Sequence, residues 1–195
     1  MRLIFMVFFC LFVLAGCSEV LEPEIVQAEE STDGDWIPLP NGSFTTKYDS
    51  SLKNRTLNLE IAARTVDGIV IAPGDIFSFN EIIGKATWAK GYRPAKIFFR
   101  GKERQGMGGG ICQLSSTLYN AADYGGLEII ERHAHSKKVH YVEPGRDAAT
   151  AYGGVDLKFK NNLPYPVRIG AWLRDGELTV ELSTHPQYMA ITKLC

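Results

Sequence analysis

Val167-Arg-Ile-Gly-Ala-Trp-Leu-Arg-Asp-Gly-Glu-Leu-Thr-Val-Glu-Leu182 decides the class of this chain: two short runs flank Asp175-Gly176, the dipeptide of a tight hairpin. Upstream, Val155-Asp156-Leu157-Lys158-Phe159 alternates apolar and polar residues at period two, and Leu127 to Ile130 begins another strand. Lys96 to Phe99 reads as a strand with Gly101-Lys102 as its turn, and Ile69-Val70-Ile71 as one stopped by Pro73-Gly74. Phe44 to Tyr48 is extended, and a helix is expected from about Ser51 to Val66, closed by Asp67-Gly68. The fold class is α+β: one domain with an antiparallel sheet and a few helices.

The segment whose residue types best suit chemistry is Gly108-Gly-Gly-Ile-Cys-Gln-Leu-Ser-Ser-Thr-Leu-Tyr-Asn-Ala121. Leu114, Leu118, Ala121 and Ala122 form one stripe of an amphipathic helix that Gly125-Gly126 ends. Cys112 then lies in the first turn, where unpaired N–H groups and the positive end of the helix dipole stabilise a thiolate. Gly108, Gly109 and Gly110 let the backbone approach another group and expose N–H donors, as an oxyanion site requires. The bland alternative is a tight turn followed by a small buried hydrophobe.

Glu131, His133 and His135 are spaced by two and share one face if they lie in a strand, with Arg132 on the other. Such residues either flank a site or decorate a solvated edge. Arg146-Asp147 follows the turn dipeptide Pro144-Gly145.

The ends of the chain speak to location. Arg2 precedes an apolar run from Leu3 to Leu14, followed by Leu14-Ala15-Gly16-Cys17. The run is short of the roughly 20 residues a bilayer span needs and fits a secretion signal. Small residues before a cysteine resemble the bacterial lipobox, so residues 1–16 are expected to be removed and Cys17 lipidated as a membrane anchor. Residues 17–40 read as an acidic tether and 41–195 as the folded domain. The whole chain is −1. With seven acidic residues and no base in the tether, and Arg2 alone before it, residues 41–195 carry +5. A basic domain on an acidic leash suits an anionic cell-wall polymer or peptidoglycan rather than nucleic acid. Of the three cysteines left after processing, Cys195 is terminal and an unpromising partner for Cys112.

Three readings of the site stand side by side. In one, Cys112 is a nucleophile, His133 or His135 its base, Asp147 or Asp156 the residue that orients the imidazole, and Gln105 an oxyanion donor; Cys, His and Asp in that order suffice for acyl transfer. In the second, Cys112, His133 and His135 bind zinc with Asp147 or water. The third has no chemistry: the loop, helix and basic surface make a wall-binding or scaffolding module. No cofactor is expected.

Phe77-Ser-Phe-Asn80, Gly84, Gly91-Tyr92, the Gly108 to Asn120 block, Glu131-Arg-His-Ala-His-Ser136, Pro144-Gly-Arg-Asp-Ala148 and Asp156-Leu-Lys-Phe-Lys-Asn-Asn162 occur in this order, and together they resemble the VanW family over about residues 43 to 183. The family takes its name from an accessory protein of some vancomycin-resistance clusters. The resemblance marks Cys112, Gln113, Thr117, Tyr119, Asn120, Glu131, Arg132, His135, Arg146, Asp147 and Asp156, and favours His135 over His133. It implies an envelope setting, to which the lipobox adds a membrane anchor at Cys17. Taken with the residue chemistry above, the expected site joins Cys112, His135, His133, Asp147, Asp156 and Gln105 as the reacting set with Gly109, Gly110, Gln113, Arg132 and Arg146 as binding residues.

Overall fold

The computed structural model describes residues 36–99 and 102–191. The expected signal peptide, the lipidation site Cys17, most of the tether and Cys195 lie outside the described residues. Within them the 167–182 stretch is a hairpin: β8 (Val167–Arg174) and β9 (Glu177–Thr184) pair antiparallel through Asp175-Gly176. Asp175 and Gly176 both have positive φ, 51° and 81°, as a tight turn matched to strand twist demands. β1 (Ile37–Lys47) lies against the other side of β9, and β2 (Val70–Ile71) against β8, giving a sheet of order β1-β9-β8-β2. β1 begins ahead of residue 41, where the folded part was expected to open. Pro38 and Pro40 mask that strand in the sequence, and an edge strand accommodates them because half its N–H groups face away from the ladder.

One face of this sheet carries the two long helices. α1 (Lys53–Val66) turns Leu59, Ala62, Ala63 and Val66 inward. It starts later than Ser51, whose Oγ and N–H both donate to Asp49 Oδ1 instead of capping it. α3 (Ile111–Tyr124) buries the expected stripe of Leu114, Leu118, Ala121 and Ala122 completely. The same helix also buries Gln113, Ser115, Ser116, Thr117 and Asn120, so it is enclosed on nearly every side and its polar residues must find partners.

A second sheet, β3-β7-β6, is built from β3 (Ile76–Ser78), β6 (Glu128–Glu131) and β7 (Lys158–Lys160). Phe77 and Phe159 are cross-strand partners whose rings stack with centroids 4.8 Å apart, a pair that adds about 0.5–1.5 kcal/mol beyond its buried area. Two expectations fail here. The alternation at 155–159 does not make one strand, because Asp156 turns inward and accepts from Ser78 Oγ (2.6 Å), Asn80 N–H (2.9 Å) and Leu157 N–H (2.8 Å). The strand through Glu131 stops there, since β7 offers no partner beyond Lys158. His133 and His135 therefore lie in an irregular segment. α2 (Phe79–Ile83), capped by Ser78 Oγ, and a separate hairpin of β4 (Pro94–Phe99) and β5 (Lys102–Met107) complete the part that frames the site; α4 (Pro186–Ile191) follows the last strand. No described helix is long and apolar enough to cross a membrane.

Candidate functional site

The glycine loop is held from both sides. Gly110 occupies the N-cap of α3 at φ 113°, a conformation open to glycine. Gly109 lies flat on β4, where an added Cβ would stand 2.6 Å from the Lys96 carbonyl oxygen. From α1, the fully buried Asn58 clamps the same loop: Nδ2 donates to the carbonyls of Arg93 (2.9 Å) and Gly109 (3.0 Å), and Oδ1 accepts from Arg93 N–H (2.8 Å). The loop cannot move without breaking these bonds, so Cys112 is fixed at the second position of α3. Gln113 serves the same end, donating to Thr46 Oγ1 and the Lys47 carbonyl of β1, both at 2.9 Å.

Opposite Cys112, residues 145–150 are docked onto α3 by its buried hydroxyls. Ser115 Oγ donates to the Ala148 carbonyl at 2.6 Å, and Ser116 Oγ accepts from Ala148 N–H at 2.9 Å. This sets Asp147 against His135. Asp147 Oδ2 accepts both the His135 backbone N–H and Nδ1–H at 2.6 Å, leaving Nε2 as the ring nitrogen available to the thiol. Arg132 grips the other side of Asp147, donating from Nε to its carbonyl (2.6 Å) and from Nη2 to Oδ1 (3.0 Å). Cys112 is half-buried and free. Its Sγ donates to the Thr150 carbonyl at 3.4 Å, with Thr150 Oγ1 at 3.8 Å.

The electrostatics follow from this packing. Burial pushes the Cys112 thiol up, but hydrogen bonding with His135 and Thr150 and the charge of the imidazolium outweigh it, and the thiol pKa lies below its ordinary value. Burial likewise works against His135, yet hydrogen bonding with Cys112, the thiolate charge and the Asp147 carboxylate raise its pKa. Both shifts favour a thiolate–imidazolium pair. The pair opens onto a cleft of about 870 Å³ lined from one side by α1 and the glycine loop and from the other by Tyr141, Thr150 and Tyr152.

Of the candidates, Cys112, His135 and Asp147 are brought together, with Gly109 and Gly110 framing them. The others are elsewhere. His133 donates from Nε2 to Glu131 Oε1 at 3.0 Å and does not line the cleft, so the zinc set of Cys112, His133 and His135 does not converge. Asp156 serves the β3–α2 junction. Gln105 stands exposed on β5, outside the cleft. Arg132 braces Asp147. Arg146 bonds Asn120 (2.6 Å) and Asp123 (2.7 Å) and stacks over Tyr119 and Tyr124, so it ties its loop to α3. Thr150, Tyr141, Asn58 and Arg55 were not visible as site residues: none belongs to a motif, and only the fold brings them near.

Glu131 is the best-satisfied carboxylate of the second sheet, accepting from Lys158 Nζ (2.9 Å), His133 and Asp156 N–H (3.0 Å). Lys158 foremost, then His133, holds its pKa down to about 2. A depressed carboxylate stabilises the fold above its unfolded pKa and loses that contribution as pH falls through the folded one. Stability is therefore expected to decline as pH drops from about 4.5 towards 2, and less steeply in Glu131→Gln, as urea midpoints across that range would measure. An equal slope in both proteins would contradict it.

The chain has relatives among known proteins. The sequence model of the family described as VanW like protein matches residues 54–183. The chain is 43% identical over 141 residues to the uncharacterized protein YoaR of Bacillus subtilis, covering 72% of this chain and 46% of that protein. It is 31% identical over 148 residues to the vancomycin B-type resistance protein VanW of Enterococcus faecalis, covering 73% and 54% respectively. The chain thus spans about half the length of the curated relatives it matches. No solved structure matches it.

Proposed function

We propose, from the premise that the chain belongs to the VanW-like family, that its domain is a cysteine-dependent acyl-transfer or amide-hydrolysing enzyme of the cell envelope. The observation that carries this is a thiol at a helix start sharing one cleft with an imidazole that a buried carboxylate holds through Nδ1. A cysteine kept only for packing has no need of such a pair.

The chemistry follows from the roles. The Cys112 thiolate attacks a carbonyl carbon; a C–S bond forms as the carbonyl π electrons move onto oxygen, next to the N–H groups at the start of α3. Collapse of that intermediate breaks the bond to the leaving amine, which takes its proton from His135 Nε2. Water or an acceptor amine then attacks the thioester, gives its proton back to His135, and releases Cys112. Asp147 keeps the ring in the tautomer and orientation both steps use.

The setting is proposed from the sequence. A signal peptide and lipidated Cys17 would tether the domain outside the membrane, and a basic domain suits peptidoglycan or an anionic wall polymer. The name of the Enterococcus relative, a vancomycin B-type resistance protein, adds an antibiotic-resistance context. The test uses the full chain. Incubated with isolated cell-wall sacculi, it is expected to release or rearrange peptide-bearing fragments and to carry an acyl adduct on the Cys112 peptide, while Cys112→Ala does neither. In cells, Cys17→Ser is expected to leave the membrane fraction or remain unprocessed. Equal wall activity in Cys112→Ala would leave a wall-binding module, and unchanged membrane partition of Cys17→Ser would remove the anchor.

A further inference from the structure

Resting on the nucleophile reading above, we propose that Arg55 is a docking point for a carboxylate carried by the acyl substrate beside its reactive carbonyl. Arg55 projects from α1 into the cleft that holds Cys112. A Cβ built at Gly110 would stand 3.0 Å from Arg55 Cγ and 3.5 Å from Nη1, so the guanidinium lies against the loop two residues before the thiol. Among the described residues it makes no hydrogen bond and no ion pair, and its Nη1 is shut off from solvent with no partner. Asp49, a carboxylate of the same cleft whose charge acts on Arg55, makes no ion pair with it; its Oδ1 accepts from Ser51 N–H and Oγ at 2.9 and 2.6 Å.

A buried cationic N–H without an acceptor is costly, and proteins rarely retain one without use. The contrast with the other two arginines near the site is instructive. Arg132 and Arg146 are held by Asp147, Gly145, Asn120 and Asp123, even though Nη2 of Arg146 is also without a partner. Arg55 has no such hold. A planar guanidinium matches a carboxylate through two parallel hydrogen bonds. The remaining charges of the cleft agree: Lys96 is neutralised by Glu103 at 2.7 Å, while Lys47 and Lys85 line the wall with no described carboxylate within salt-bridge distance. An acyl donor that is itself an anion, such as a peptide with a free carboxylate next to the bond to be broken, would satisfy Arg55 and place its carbonyl by Cys112.

Two alkylating agents of equal shape test this on the native full chain, read at the Cys112 peptide by mass spectrometry. Iodoacetate carries the carboxylate; iodoacetamide is its neutral counterpart. Their rate ratio cancels any change in thiolate fraction, so it reports anion docking alone. The iodoacetate-to-iodoacetamide ratio is expected to be ~10-fold higher in native protein than in urea-unfolded protein, the size of one charge-assisted contact. Arg55→Met should return it to the unfolded value. Arg55→Lys, which keeps the charge and the helix former, should lose most of it because the fork is gone. A native ratio equal to the unfolded one overturns the proposal, and so does a raised ratio that Arg55→Lys fully retains, since that would assign it to the general field of the lysines. The iodoacetamide rate by itself reads the nucleophile: a native Cys112 slow towards iodoacetamide fails the enzymatic reading, whereas fast iodoacetamide with no charge preference fails Arg55 only.

Discussion

Alkylation of Cys112 in the native chain is expected to stay fast below pH 8.5, the region where a free thiol loses its thiolate. The sign follows from the site. The folded pKa of Cys112 is depressed and that of His135 raised, both in the direction of an ion pair, and reactivity falls as pH drops through the lowered thiol value. In His135→Ala the favourable hydrogen bond and charge vanish while burial, which raises the thiol pKa, remains. The midpoint should then move above the ordinary value, and since each pKa unit removes about tenfold of the neutral-pH rate, alkylation at neutral pH should slow markedly. Asp147→Asn should fall between, because the imidazole keeps its place but loses the charge that stabilises its protonated form. A pH series of site-resolved modification measures all three. A wild-type midpoint at or above 8.5 that His135→Ala leaves in place would dismiss the pair.

Asn58→Ala should give the largest loss of stability among single changes outside the apolar core. Its side chain satisfies Arg93 N–H, Arg93 C=O and Gly109 C=O, and truncation leaves Arg93 N–H and Gly109 C=O unpaired beside a cavity, with Arg93 C=O keeping only a long bond from Gly108 N–H at 3.4 Å. Unsatisfied buried groups cost ~1–3 kcal/mol each, so a total of about 3 kcal/mol or more is expected, read as a shift of the urea midpoint or a fall in Tm of roughly 10 °C. The variant has a second signature. With the glycine loop released, Cys112 is no longer held against His135, and its neutral-pH alkylation should slow even at temperatures where the fold persists. A midpoint within error of wild type would mean the loop is held by its contacts with β4 alone.

How far the sequence carries is clearest residue by residue. The 167–182 hairpin was legible because Asp175-Gly176 is local chemistry, and the α3 stripe because helical period survives in any context. Cys112 at a helix start followed from the same local signals, and the choice of His135 came from the motif resemblance. Strand reach was not legible: whether Glu131, His133 and His135 share a face depends on β7 ending at Lys158, which residues 128–135 do not encode. Asp156 was misread for a similar reason, since an alternating pattern cannot say that Ser78 and Asn80, distant in sequence, will draw its carboxylate inward. Gln105 lies three residues before Gly108 in sequence, but β5 leaves its side chain exposed and outside the cleft, which nearness along the chain does not reveal. Asn58 and Arg55 sit on one ordinary amphipathic helix, and their roles exist only where α1 meets the loop.

The margins of the four-stranded sheet bear on how this molecule tolerates company. One margin is β1, whose first turns of chain carry Pro38 and Pro40 and whose register with β9 shifts between Pro38 and Ser43; the other is β2, two residues long. An unguarded margin recruits strands from neighbouring chains and seeds aggregates, and prolines, irregular register and brevity each deny such a recruit its hydrogen bonds. Copies crowded side by side can therefore remain separate folded units, each with its cleft open.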